Sequence, residues 1–225
     1  MARNPLAKLL PLIWLAVAGI ATAEPAGQVL AVSGTLMAAK QDGRMRVLAA
    51  NSAVDAGDTL QTDSTASARI RFADGGSVSL RPDSQLRIDE YRFAAGDPAN
   101  DKMILALLKG GLRAITGLIG KRSRAEAYSM RAPNATIGIR GTDYGLQHCA
   151  AGACAGLKDG SGTALADGLH AEVFDGSIVV GNGAGSVVVA AGGFAYVRDA
   201  TTAPVTVTDG YRAPREGGVG ECVID

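Results

Sequence analysis

Apolar and polar positions alternate in short stretches along most of the chain. From Ala68 to Phe72, residues Ala68, Ile70 and Phe72 fall on one side and Arg69 and Arg71 on the other, which predicts a strand with one wet face. Asp74-Gly75-Gly76 reads as a turn, Val78 and Leu80 resume the alternation, and Arg81-Pro82-Asp83-Ser84 turns again. Leu86, Ile88 and Tyr91 to Phe93 make a further strand before a polar loop over 94–101. Upstream, Gln28 to Met37 holds two short strands around Ser33-Gly34, Asp42-Gly43 turns the chain before Val47-Leu48, and Gly57-Asp58 leads into Thr59 to Thr62. Downstream, Ala171 to Val180 reads as a hairpin or a solenoid-like bend, and Ser186 to Val189 with Gly192 to Val197 as a second strand–glycine–strand unit. Stretches of period 3.6 are nearly absent. Lys102 to Arg113 fits two helical turns through Met103, Leu105 and Leu108, but Gly110-Gly111 and the β-branched residues beyond fit a strand as well. The expected fold is all-β, a solenoid-like or sandwich-like stack of short strands with at most one short helix near 102–110; spacing does not separate the two stacks.

Composition agrees: thirty glycines and eight prolines spread along the chain with many Val, Thr and Ala residues. The N-terminus changes where the chain is expected to act. Arg3 and Lys8, an apolar run from Leu9 to Ile20 and Ala21-Thr22-Ala23 before Glu24 have the layout of a secretory leader, with cleavage after Ala23. The run is shorter than the roughly 20 residues a membrane span needs, and Pro11 interrupts it, so no retained anchor is expected. The domain expectation is a leader over 1–23, one β-domain over 24–199, and a tail or edge strand over 200–225, in a protein that is periplasmic or secreted. Basic and acidic residues balance at 22 each, and losing Arg3 and Lys8 shifts the remainder two charges to the acidic side. That balance argues against electrostatic capture of nucleic acid.

Candidate chemistry centres on Ala132 to Tyr144, a strand running into a glycine turn where Arg140, Thr142 and Asp143 bunch. An anion site using the Arg140 fork is one reading. The favoured one is structural: Ile137 and Ile139 alternate with Thr136, Gly138 and Arg140, so Arg140 ends a buried strand and ties down the following turn, with Gly138 and Gly141 allowing close backbone approach. Cys149 and Cys154 bracket a small loop and are the predicted disulfide, worth about 2 kcal/mol by loop length and local in reach. Cys222 is left over. A metal site from His148, Cys149 and Cys154 would have only His170 to complete it and matches no common zinc spacing, so neither metal nor cofactor is expected. Neither histidine sits in a nucleophile setting, Gly120-Lys121 lacks the rest of a phosphate loop, and Gly181 to Gly185 reads as a hairpin tip. Asp89-Glu90 are expected to be solvated, facing opposite ways on a strand, and Lys121 to Arg124 to be a solvated basic loop. No enzymatic activity is expected.

The stretch Ala-Pro-Asn-Ala-Thr-Ile-Gly-Ile-Arg-Gly-Thr-Asp-Tyr over 132–144 resembles the signature of the FecR domain family, periplasmic β-domains. The resemblance extends over roughly Val29 to Val180: a "GDtLqT" step at Gly57 to Thr62, an "r-i-r-f-a-D-G-s" step ending with one glycine more than usual at Gly75-Gly76, an "S-q-l-r-i" step at Ser84 to Ile88, then Leu107 to Arg113 and Thr116-Gly117. The structural motif that this resemblance marks here is Pro133, Asn134, Thr136, Gly138, Arg140, Gly141, Thr142 and Asp143. The resemblance implies the solenoid-like form and a binding or scaffold role toward another cell-envelope protein, in the setting of envelope signalling. The family's sensors also carry a cytoplasmic segment that controls a sigma factor, which this chain is expected to lack. A module binding polysaccharide or another envelope ligand is the alternative expectation, and a hydrolase using His148 or His170 a third.

Overall fold

A computed structural model describes residues 24–212; the expected leader, Cys222 and the last residues of the expected tail lie outside them. Fifteen strands occur in the described residues: β1 (Gly27–Ser33), β2 (Leu36–Ala39), β3 (Met45–Leu48), β4 (Ala53–Val54), β5 (Thr59–Thr62), β6 (Ser67–Phe72), β7 (Ser77–Leu80), β8 (Gln85–Arg92), β9 (Lys102–Ile115), β10 (Tyr128–Arg131), β11 (Thr136–Cys149), β12 (Gly168–Asn182), β13 (Gly185–Ala190), β14 (Phe194–Val197) and β15 (Val205–Val207). All belong to one connected sheet. β10 runs parallel to β9, and the other pairings are antiparallel. The fold is all-β, a stack of short strands, as the alternation implies.

The alternating residues do what their period predicts. Ala68, Ile70 and Phe72 of β6 are buried, as are Val78 and Leu80 of β7 and Leu86 and Ile88 of β8. With Leu36, Leu60, Leu105, Leu107 and Leu112 they form one continuous core. Each fully buried Leu or Ile contributes about 1.5–3 kcal/mol.

The segment open between helix and strand is β9, the longest element of the first half of the sheet. Its pattern resolves in favour of the strand because it is paired in the sheet from end to end. β8 lines it over Lys102–Lys109, with β10 on the other flank at Met103–Ala106; from Gly110 onward β11 lines it, with β7 on the other flank at Leu112–Ile115. Gly110 makes this exchange of partners possible. Its φ is +75°, and a Cβ there would stand 2.4 Å from Ser84 Oγ, while that hydroxyl bonds both the N–H and the C=O of Gly111 at 2.9 Å.

The one short α-helix among the described residues is displaced from the expected position: α1 spans Leu118–Arg122 and takes in the first two residues of the stretch Lys121 to Arg124, expected to be a solvated basic loop. Its start is fixed from across the sequence. Asp74 accepts from Leu118 N through its carbonyl (3.0 Å), and from Ile119 N through its carboxylate (3.2 Å), while the same carboxylate holds Gly76 N at 3.0 Å. Ala171 to Val180, expected to turn back on itself, instead runs straight through as part of β12. The glycine at 176 produces a bulge opposite β11 rather than a hairpin. No helix among the described residues is long and apolar enough to cross a membrane.

Candidate functional site

The signature segment divides into residues that hold the fold and residues that leave it. β11 carries Ile137 and Ile139 inward, with Thr136, Gly138 and Arg140 facing out. Past Arg140 the register breaks, and Gly141 adopts φ +59° at the break. A side chain on Gly141 would meet nothing closer than Lys121 Cγ at 3.7 Å, and one on Gly138 would meet nothing within 4 Å. Close backbone approach is therefore not the reason for either glycine. Gly141 supplies a left-handed residue, and Gly138 leaves a shallow floor in the outer face.

Just beyond the break the side chains of Thr142, Asp143 and Tyr144 are all engaged. Asp143 receives a two-pronged bond from Arg113, Nε at 2.9 Å and Nη2 at 2.7 Å, and that guanidinium lies 4.4 Å over the Phe174 ring. Thr142 N donates to Thr116 Oγ1 at 2.8 Å, and Thr142 Oγ1 donates to Ser177 O at 2.7 Å. Tyr144 is wholly buried, its hydroxyl 2.8 Å from that of Tyr128; burial raises both phenols well above their usual range. At the other end, Asn134 donates to the carbonyls of Val197 (3.2 Å) and Arg198 (2.8 Å), and Pro133 precedes it at an exposed corner.

Arg140 does not make the tie expected of it. The turn's carboxylate is already engaged by Arg113, and Arg140 stands at an exposed position with no hydrogen bond or ion pair among the described residues. Directly across the strands, Gly138 faces Ser129 of β10 and Val179 of β12, and Val179 faces Val188 of β13. Val179 is 46% exposed and Val188 68%. The outer face thus presents two valines and a glycine floor beside an unpaired guanidinium, with Arg131 across from Thr136. Arg131 also approaches Asp89 Oδ2 at 3.7 Å, and Arg87 Nε bonds the other oxygen. Asp89 is accordingly not solvated: its side chain is 17% exposed, at a bulge in β8 that the alternation did not anticipate.

The other motif positions have structural duties. Asp58, of the Gly-Asp-Thr-Leu step, is fully buried and accepts from Arg46 (2.7 Å), Asp55 N (2.8 Å) and Lys40 (2.9 Å). Burial pushes its pKa up, but these donors outweigh burial and hold the carboxyl below the usual range. Cys149 and Cys154 form the predicted disulfide, Cα atoms 5.4 Å apart, so both sulfurs are occupied. The bridge reaches further than a loop tip: its sulfurs are buried in a second apolar cluster with Leu165 and Tyr211. Burial lowers the pKa of both histidines, and each is anchored, His148 Nε2 to Asn134 Oδ1 at 3.1 Å and His170 Nε2 to the Ala166 carbonyl at 2.9 Å.

These features define an all-β domain whose motif residues brace the sheet while a mixed cationic and apolar face looks outward. The sequence profile of the family described as "FecR protein" matches residues 58–179, and the chain belongs to this family. No curated protein matches the chain. Two crystal structures of a putative anti-sigma factor from Parabacteroides distasonis resemble it, with TM-scores of 0.48 and 0.47, each at 11% identity over 66% of this chain. The chain spans 58% of the length of those proteins.

Proposed function

We propose that this protein is an exported, non-enzymatic FecR-type module of the cell envelope that binds another envelope protein in a signalling role. The observation that carries the reading is the division within the family motif: Asn134, Thr142 and Asp143 are consumed in bracing the fold, while Arg140 stays exposed and unpaired beside Val179 and Gly138. A guanidinium free of an internal carboxylate, next to exposed valines, suits a protein surface that offers an acidic group and an apolar contact. Regulatory, rather than catalytic, function is the pattern of the family, and both histidines are engaged in structural hydrogen bonds. Export implies a mature chain that begins at Glu24.

The test places a photo-crosslinking residue at Val179 in cells and identifies adducts by mass spectrometry, with and without Arg140→Glu. One recurrent envelope protein, lost or at least tenfold reduced in the Arg140→Glu background, is the expected result. Adducts that are diffuse, or indifferent to residue 140, would rule the face out. Sequencing the N-terminus of the exported protein tests the leader, with Glu24 as the expected first residue.

A further inference from the structure

The sheet has an unfinished edge. β3 pairs with β2 alone, and the hydrogen-bond parity of that hairpin shows which of its backbone groups are left over. Lys40 N donates to Arg44 O at 2.8 Å, so the 40/44 pair is a hydrogen-bonded one. Parity alternates along an antiparallel ladder, so Arg46 and Leu48 bond β2 whereas the N–H and C=O of Met45 and Val47 point away from it. At one end of this edge the chain leaves the strand through Gly43, at φ +85°, whose N–H is taken by the Lys40 carbonyl at 3.0 Å; at the other, Ala49 N is taken by Ser52 Oγ at 3.0 Å and Ala49 O by Ser52 N at 3.0 Å. The free groups within β3 are thus two donors and two acceptors, spaced symmetrically about Arg46.

The side chains on this edge match the backbone. Met45 is 59% exposed and Val47 71%, on the same face as Met37 across the ladder. No lysine, proline or bulge blunts the edge. Arg46, between them, turns to the other face, where Asp58 and Asp55 neutralise it at 2.7 and 3.7 Å.

We propose that β3 pairs with β3 of a second copy of this chain, antiparallel about a two-fold axis at Arg46. Met45 of each copy then lies opposite Val47 of the other, and the pairing uses all four free groups on each edge in four hydrogen bonds, leaving none over. The two Arg46 side chains meet near the axis, each already paired within its own chain. A two-fold, self-complementary contact is the commonest way for identical chains to associate. The contact is small, so the dimer is weak and forms in a concentration-dependent way.

Register-specific crosslinking tests this in the full chain carrying Cys222→Ser. Mixing the Met45→Cys and Val47→Cys variants under mild oxidation is expected to give at least tenfold more disulfide-linked dimer than either variant alone, because only the mixture sets two cysteines opposite. Sedimentation of the unmodified chain is expected to pass from monomer toward dimer as concentration rises, and the Met45→Lys/Val47→Lys double variant to remain monomeric with an unchanged Tm. Equal yields in all three oxidations, a parent chain that stays monomeric at millimolar concentration, a dimer that survives the double lysine change, or adducts at residue 45 in cells that contain only a different protein would each overturn the proposal.

Discussion

The hydroxyls of Tyr128 and Tyr144 satisfy one another at 2.8 Å in a fully buried setting, so neither can lose its partner without stranding a polar group. Either single change to Phe is expected to cost about 1–3 kcal/mol, whereas Tyr128→Phe with Tyr144→Phe should be much closer to neutral; urea unfolding of the two singles and the double completes the cycle. The two arginines of the signature region separate in the same way. Arg113→Ala leaves Asp143 without its pair at 17% exposure and should cost about 2–3 kcal/mol, while Arg140→Ala should stay within about 0.5 kcal/mol. Equal losses in the two variants would return Arg140 to a bracing role. The bunching of Arg140, Thr142 and Asp143 was plain in the sequence. Their division of labour was not, because the competing guanidinium comes from a residue 30 positions away.

At the level of elements, β9 shows where periodicity stops being informative. Leu105 and Leu108 fit a helical spacing while Met103, Leu105 and Leu107 fit an extended one, and only the hydrogen-bonding neighbours decide between them. The glycine pair that weakened the helical reading is what the strand requires in order to change partners. Gly110→Ala should therefore cost at least about 1–3 kcal/mol through its positive φ and the contact with Ser84, with Gly138→Ala as a nearly neutral control at a site with open space. Chemical denaturation of the two variants measures both. β12 makes the reverse point: Asp175-Gly176 has the chemistry of a turn, yet β11 lines it from Thr136 to Cys149 and absorbs the irregularity as a bulge. The helix α1 was missed for a related reason, since Asp74, which caps it, lies some forty-five residues earlier.

For the whole molecule, pH reports how the charges were folded in. Burial lowers the pKa of His148 and His170 below the ordinary 6.5, so the unfolded chain takes up these protons first and stability should begin to fall as pH drops through that value. Asp58 and Asp101 follow: burial raises each, but the donors around them, Arg46 for the first and Ser123 for the second, leave both below 3.8. Their contribution is present above that pH and is lost as the carboxylates protonate below it. Tm measured at pH 8, 5.5 and 3.5 should descend in two stages; a flat profile from 8 to 5.5 would mean that the histidines ionise as freely in the folded chain as in the unfolded one.

The sequence by itself determined the class of fold, the inward faces of β6, β7 and β8, the disulfide and the family, because a period of two, turn chemistry and a short cysteine loop are local properties. Tertiary structure decided the rest: which way Lys102 to Ile115 resolved, where the short helix begins, which arginine holds Asp143, and that Arg140 and the edge of β3 are left over. Those outcomes depend on partners distant along the chain. A group's freedom is fixed only once every competitor for its hydrogen bonds has found a place.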